Sequence, residues 1–498
     1  MNCIEVGRNI LYLLFARLGC IMSSSAPFVH CFKTINGFYF YDVNKDTIVS
    51  VDEAVFNWLN GDIPYDSLDD RARVRVERMK AKGLLSDKRV KVLQHVDTKN
   101  IHYKLENQVE MLILQVTQAC NLTCSYCPYA YKGDKVSRSH SNKMMSWEVA
   151  KQAIDFYYAH CGDMNETCLT FYGGEPFLNF PVIRKSVEYA RELFQGKGLL
   201  FQVTTNGTVV TDEVIDFLVS NRFDVMFSID GPASIHDVNR KMKTGAGSFD
   251  LAFANLKKLV NAYGEAYKEH VSMNMVLNPE NDPADVFRLF DDPFFHTYSI
   301  QSYIHVADRD MLEDPFPDSV AFRDYLTTRG TYQLYNLLGM VSENKLNELD
   351  RKNVFKYQRK IEDYHGLKQD LPEEAAPSGP CIPGKKRLFV DTEGYMYPCE
   401  RVNELSEMLR LGSVFDGFDE EKVSNILNVC DLTPEKCRNC FAFRHCSICI
   451  KAVEYKDTLS VELRNRHCEQ AKASMERDLR ICALVKEYRQ IYSEENHG

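Results

Sequence analysis

The stretch Cys120–Cys127, CNLTCSYC, sets three cysteines at intervals of four and three residues, with Tyr126 just before the last. Three thiols on one short loop fit neither common structural use of cysteine. A disulfide takes two, and a structural zinc site takes four ligands at tetrahedral corners. Three thiolates can hold three irons of a four-iron cluster and leave the fourth iron open to a ligand from elsewhere. Zinc stays the alternative if a fourth protein ligand lies nearby.

The loop follows an apolar run at 111–118, MLILQVTQ, that reads as a strand. Five more strand-like runs succeed it: CLTFYGG (168–174), LLFQVTTNG (199–207), DVMFSIDG (224–231), HVSMNMVLN (270–278) and SIQSYIHV (299–306). Between them, SWEVAKQAIDFYYAHC (146–161), FPVIRKSVEYARELFQ (180–195), TDEVIDFLVSN (211–221) and SFDLAFANLKKLVNAY (248–263) repeat apolar residues at helical spacing, several behind a Ser or Thr N-cap. Such alternation predicts a parallel α/β sheet, curved or doubly wound, whose ligands sit at the C-terminal strand ends. The cysteine loop lies at one of those ends.

The bulk properties agree with a folded soluble protein of two or three domains. The chain has 498 residues, 45% hydrophobic and 26% charged, with a net charge of -10 and no basic or acidic tail. Nothing in that balance recommends nucleic acid, and no run is long enough to span a bilayer. The 17 cysteines are an odd number gathered mostly in two clusters, which argues for metal ligation in a reducing cytoplasm, low in oxygen, and against a disulfide scaffold. Residues 1–27 read as a leader or extension without an export signal, since Arg17 directly follows the apolar run and no A-x-A site appears.

Residues 28–95 read as strands followed by helices. FVHCFKTINGFYFYDV turns at Asn36-Gly37, TIVSVDEAVFNWLNG passes from strand to helix, and SLDDRARVRVERMKAKGLL supplies a second helix. The unit resembles a small winged helix. After the α/β region, placed at 108–310, residues 311–378 are helical but irregular and end in the linker-like LPEEAAPSGP. Residues 379–498 hold the second cluster: Cys381, Cys399, Cys430, Cys437, Cys440, Cys446, Cys449 and Cys468. C-x2-C occurs twice there, a spacing that zinc ribbons also use.

The C-x3-C-x2-C loop with Tyr126 resembles the signature of the radical S-adenosylmethionine (SAM) enzymes, and the next strand ends extend the resemblance. FYGGEP places Gly173, Gly174, Glu175 and Pro176 where that family keeps a glycine-rich turn at the SAM amino group; glycines admit close backbone approach and a carboxylate suits an ammonium. TTNG holds Asn206, SIDG holds Ser228, and HDVNR ends in Arg240. The resemblance implies that Ser228 contacts the SAM ribose and Arg240 its carboxylate. It implies a partial (β/α)6 TIM-like barrel, a [4Fe-4S] cluster on Cys120, Cys124 and Cys127, and a 5'-deoxyadenosyl radical formed from SAM.

The second cluster resembles the SPASM extension, which carries two auxiliary [4Fe-4S] clusters; Gly394 sits five residues before Cys399 as in that pattern. One departure is that only Ser447 and Ile448 separate Cys446 from Cys449. By resemblance Cys437, Cys440, Cys446 and Cys468 ligate one cluster, and Cys381, Cys399 and Cys449 contribute to the other. Either Cys430 completes that second set, or its open iron binds a substrate cysteine. The remaining thiols, Cys3, Cys20, Cys31, Cys161, Cys168 and Cys482, read as ordinary small residues.

The domain order resembles maturases of ribosomally made peptides, in which the first unit grips a precursor leader by strand addition, here near GFYFYDV and RARVRVERMK. The thioether-forming sactipeptide and ranthipeptide type is the expected activity, on a cysteine-containing precursor, with flavodoxin or ferredoxin as electron donor. Formylglycine formation by a sulfatase-type maturase, another radical peptide modification such as a C–C crosslink or epimerisation, and a metal-stabilised protein without turnover are the alternatives. Asp230, Tyr303 and His305 stand at strand ends and read equally well as structural.

Overall fold

The computed structural model describes residues 26–127, 141–307, 319–346, 348–364, 366–377 and 379–495. Most of the expected leader, with Cys3 and Cys20, lies outside the described residues, as do 128–140 and 308–318.

The chain opens with an antiparallel meander, β1 (Val29–Lys33), β2 (Phe38–Asp42) and β3 (Thr47–Val51), followed by α1 (Glu53–Leu59) and α2 (Asp70–Ala81). Both helices are capped by aspartates: Asp52 accepts from the Val55 amide and Asp69 from the Ala72 amide. The sheet is covered on both faces. Phe40 packs with Val55, Phe56 and Val76 of the two helices, whereas Tyr39 and Tyr41 pack against the C-terminal part of the chain. Tyr39 donates to Glu487, and Arg444 donates to the carbonyls of Val43 and Asn44.

This arrangement corrects one expectation. GFYFYDV is the central strand β2, paired to β1 on one side and β3 on the other, so its backbone is already committed. β1 lies against the C-terminal helix, with Arg480 donating to the Lys33 carbonyl. The edge beside α2 is β3. Arg75 of α2 donates to the Ser50 carbonyl, which therefore points away from β2.

The α/β region follows the predicted order. β4 (Met111–Thr117) leads to the short β5 (Leu122–Cys124). Next come α3 (Trp147–His160), β6 (Glu166–Gly173), α4 (Phe180–Leu193), β7 (Gly198–Thr205), α5 (Asp212–Ser220) and β8 (Asp224–Ser228). They are followed by α6 (Ala233–Asn239), β9 (Arg240–Met242), α7 (Phe249–Tyr263), β10 (Val271–Leu277) and β11 (Gln301–Val306). β4, β6, β7, β8, β10 and β11 lie side by side in that order, all parallel. Leu112, Ile113, Leu114 and Val116 are all buried, as a parallel strand covered on both faces requires. The register shifts between Gln115 and Thr117, so β4 bends just before the cysteine loop.

Two features lie beyond simple periodicity. β5 and β9 form an antiparallel pair that sets Arg240 opposite Cys124. On the far side of β4, β12 (Leu388–Val390) joins the same sheet in parallel, followed by the antiparallel β13 (Tyr395–Tyr397), β14 (Gly412–Ser413) and β15 (Gly417–Phe418). The C-terminal cysteine region thus hangs from the first strand of the α/β region. Two long helices, α8 (Val320–Leu337) and α9 (Glu348–Asp363), precede it, and α10 (Glu420–Leu427) and α11 (Val461–Glu495) lie within it. No helix among the described residues is long and apolar enough to cross a membrane.

Candidate active site

The three loop cysteines gather at the C-terminal end of β4. The Cys127 amide donates to the Cys124 carbonyl at 3.2 Å, closing a tight turn. Burial pushes the Cys120 thiol up to about 11 and Cys124 to about 12; Arg240 opposes the rise at Cys124, and the neighbouring thiols add to both. Cys124 senses both Cys120 and Cys127, and Cys120 senses Cys127. Cys120 Sγ accepts from the Leu122 amide at 3.4 Å and from Asn206 Nδ2 at 3.8 Å.

Among the described residues, no three His, Cys, Asp or Glu side chains close tightly enough to hold a single metal ion. Three thiols on one loop match three corners of a four-iron cube and leave its fourth iron open. The donor set fits such a group. Buried thiols held this high ionise only against strong local positive charge, which an iron core supplies and Arg240 reinforces.

The glycine-rich turn is built against this loop. A Cβ on Gly173, whose φ is +135°, would lie 2.1 Å from the Thr117 carbonyl, and one on Gly174 would lie 2.1 Å from that of Ala119. Without them the backbones close up: the Gly174 amide donates to Thr117 O and the Glu175 amide to Ala119 O, both at 2.9 Å. The glycines are thus required by the protein's own packing, beyond any approach to a ligand. Glu175 is fully buried, and burial raises its carboxyl to about 7 against the hydrogen bonds it accepts. Those come from Thr205 Oγ1 and the Asn206 amide, each at 2.8 Å, and from the Phe177 amide at 3.3 Å. Its carboxylate braces two strand ends, a role the sequence reading did not assign. Asn206 also donates to Asn121 Oδ1 at 2.9 Å, tying the third strand end to the cysteine loop.

Asp230 is the hub of the opposite wall. Fully buried, it accepts from Arg240 Nε at 2.8 Å, from the Val276 amide at 3.0 Å and from the Tyr126 hydroxyl. The Arg240 guanidinium lies 5.4 Å from the centre of the Tyr126 ring. Behind them, the Asp230 amide donates to His236 Nδ1, so His236 Nε2 carries the proton and faces Ser248 Oγ at 3.0 Å. Ser248 in turn donates to the Arg240 carbonyl at 2.5 Å. Burial lowers His236 to about 4, with the Arg240 charge acting in the same direction, so the ring is neutral. Ser248 does not cap α7; Asp237 accepts the Ser248 and Phe249 amides instead. Ser228 is buried at the end of β8, opposite Asn274.

Tyr126, Asn206, Arg240 and the glycine turn thus converge on the cysteine loop, and Asp230 joins them. Tyr303 and His305 on β11 do not belong to this network; Lys352 stands 4.7 Å from the Tyr303 ring centre. His236 and Ser248 were missed, although the former stands within the quoted HDVNR.

The second cluster resolves into two groups. Burial, then Cys449, raises the Cys381 thiol; burial brings Cys399 to about 11, with Glu400, Cys381 and Cys449 contributing. Gly379 fits tightly against the backbone of Ser447 and Ile448, which brings Cys381 beside Cys449. The other group is Cys437, Cys440, Cys446 and Cys468, which line one pocket. Cys430 lies with this second group: its carbonyl is 3.9 Å from Cys437 Sγ, and burial with Asp431 and Cys437 raises its thiol to about 12. Cys161 and Cys482 are buried among apolar side chains, as expected of ordinary thiols.

Residues 114–292 match the family model of the Radical SAM superfamily. A serine-type anaerobic sulfatase-maturating enzyme of Bacteroides thetaiotaomicron is 33% identical over 140 residues, 28% of this chain and a third of that protein's length. A cysteine-type anaerobic sulfatase-maturating enzyme of Clostridium perfringens is 24% identical over 392 residues, 74% of this chain and 95% of that protein. A solved structure of native anSMEcpe with bound AdoMet and Cp18Cys peptide superposes with a TM-score of 0.52 at 20% identity, covering 76% of this chain and 99% of that one. The likeness to that structure is one of fold. Residues 114–292 of this chain are a domain of the Radical SAM superfamily, with its cysteine loop, glycine turn and buried Arg240 at one end of the sheet.

Proposed function

We propose that this protein is a radical SAM maturase that joins a cysteine sulfur to a carbon of another residue in a ribosomally made precursor peptide. When bound, the cluster and SAM supply an electron and a 5'-deoxyadenosyl radical that takes hydrogen from an unactivated carbon. Cys120, Cys124 and Cys127 hold the cluster, Gly173 and Gly174 form the SAM-facing turn, and Arg240, fixed by Asp230 and Tyr126, offers its guanidinium to the SAM carboxylate. Ser228 and Asn206 complete the SAM contacts. Residues 28–95 recognise the precursor, 108–310 carry the barrel, 311–378 bridge, and 379–498 form a SPASM-type unit with two auxiliary four-iron clusters. A flavodoxin or ferredoxin in an oxygen-poor cytoplasm supplies the electron.

The observation that carries the thioether reading is the placement of Cys430. Seated against Cys437, it leaves Cys381, Cys399 and Cys449 as a trio, and the sulfur of a substrate cysteine can complete that set. Mass spectrometry of a cysteine-containing precursor coexpressed with the enzyme tests it. A product that keeps its sulfur and loses two hydrogens per crosslink supports the reading; no mass change, or loss of sulfur, overturns it.

Loss of sulfur would identify the second reading, oxidation of cysteine to formylglycine. It is favoured by the alignment that covers 95% of a cysteine-type sulfatase-maturating enzyme. The β3 edge separates the two, because the peptide-maturase reading needs strand addition there. Ser50→Pro removes an amide on the free edge without removing a bond to β2. It should weaken precursor binding at least tenfold while leaving uncoupled SAM cleavage intact; unchanged binding would remove β3 from the reading.

A further inference from the structure

Among the largest fully buried side chains is an arginine, Arg464, 1% exposed. It stands in the first turn of α11, four residues before Cys468 and hence on the same helix face. Its Nε donates to Thr433 Oγ1 at 2.8 Å and its Nη2 to Cys437 Sγ at 3.3 Å. Its Nη1 is buried and has no hydrogen-bond partner among the described residues. Arg464 lines the pocket shared by Cys437, Cys440, Cys446 and Cys468.

Each feature of this placement works against a cation. A buried guanidinium loses its hydration, and among the described residues no carboxylate lies within ion-pair distance of it; Asp431, the nearby carboxylate, senses its charge without pairing. The first turn of a helix is also the positive end of the helix dipole. The other cations lining the pocket differ from it: Lys436 is exposed, and Lys472 is partly exposed and paired with Glu469 at 3.0 Å. What stands before Arg464 is a set of four thiols, and four thiolates around a four-iron core carry net negative charge that grows by one on reduction.

We propose that Arg464 is the fixed counter-cation of an iron-sulfur cluster held by Cys437, Cys440, Cys446 and Cys468, and that its charge raises the reduction potential of that cluster. The inference rests on the reading of these four thiols as a cluster site. The gain is in the direction of electron acceptance, since a fixed positive charge beside a sulfur ligand favours the more negative, reduced form. Thr433 holds the guanidinium in place from the far side and itself contacts Cys437 Sγ at 3.6 Å. Arg464 thus acts through the cluster's ligand Cys437, as a positioning and tuning residue.

The test is a redox titration, followed by electron paramagnetic resonance, of the anaerobically reconstituted full chain with its iron content measured. Arg464→Met should lower the reduced-to-oxidised ratio of one auxiliary cluster at least tenfold at fixed potential, about 59 mV for one electron. The other clusters should not move, and Arg464→Lys should shift less. A fully loaded R464M at the wild-type potential overturns the proposal. If R464M folds but lacks this cluster, Arg464→Gln and R464K decide. A loaded R464Q at the wild-type potential overturns the proposal, as does loss of the cluster in all three variants; loading of R464K alone supports it. Wild-type protein that binds zinc in this pocket, or only one cluster's iron in the whole chain, sinks the cluster reading and the proposal with it.

Discussion

Replacing Asp230 by Asn isolates the electrostatic core of the site, because the side chain keeps its shape and loses only its charge. Asp230 is fully exchanged out of water and accepts three hydrogen bonds, from Arg240, Tyr126 and Val276. Arg240, 7% exposed, has no other charge partner than Asp230 in an ion pair among the described residues. Removing one partner of a buried pair leaves the other uncompensated, at a cost of about 3–5 kcal/mol. At about 1.4 kcal/mol per decade, the local opening equilibrium should rise roughly a hundredfold to a few thousandfold. The chain has several units, so a global melting curve would blur that change. Amide exchange resolves it: 240–242 and the Val276 amide should exchange faster in D230N, while β1 to β3 should exchange as in wild type. SAM affinity should fall in parallel, because the guanidinium is no longer aimed. Wild-type exchange at 240–242 and Val276, together with wild-type SAM affinity, would refute the role given to the pair.

Other consequences follow from the same geometry. His236 is held near 4 in the folded chain against about 6.5 unfolded, so the unfolded chain binds the extra proton and stability rises with pH across that window. The contribution is about 3 kcal/mol, fully present above 6.5 and lost toward 4. Amide-exchange protection of 236–242, corrected for the intrinsic rate, should show this slope between pH 5 and 7 in wild type and a smaller one in His236→Gln; an equal slope in both would contradict it. Gly174→Ala puts a methyl 2.1 Å from the Ala119 carbonyl and 3.0 Å from the Cys120 amide, so backbone must shift. Iron at the Cys120 site should drop and 5'-deoxyadenosine release should fall at least tenfold, with circular dichroism unchanged; wild-type release would show that the contact is dispensable. Ser248→Ala removes the hydroxyl between His236 and Arg240 and should cost about 1–3 kcal/mol, read from amide exchange at 240–242.

Much of the barrel was legible because long periodic runs carry their own evidence. Six apolar runs, four of them ending in Gly or Asn, became six adjacent parallel strands. What escaped is made of short or distant elements. β5 and β9 are three residues each, too short for any period, and their pairing joins Cys124 to Arg240 across more than a hundred residues. β12 has the same brevity, so its attachment to β4 could not be foreseen. Position within a sheet is equally silent: FYFYD reads as a strand, but whether it is central or an edge depends on β3 and on the C-terminal helix. The buried charges were hidden by their ordinary habits. Arg464 and Glu175 belong to residue types that usually face water, and only the fold shows them 1% and 0% exposed.

The central claim is that Cys120, Cys124 and Cys127 hold a cluster that cleaves SAM. The direct measurement is 5'-deoxyadenosine release by the anaerobically reconstituted full chain given SAM and dithionite, alongside single alanine variants of the three cysteines. Wild type should release it and each variant should lose it with its other iron retained. No release from the iron-loaded wild type, or undiminished release from Cys124→Ala, would contradict the claim.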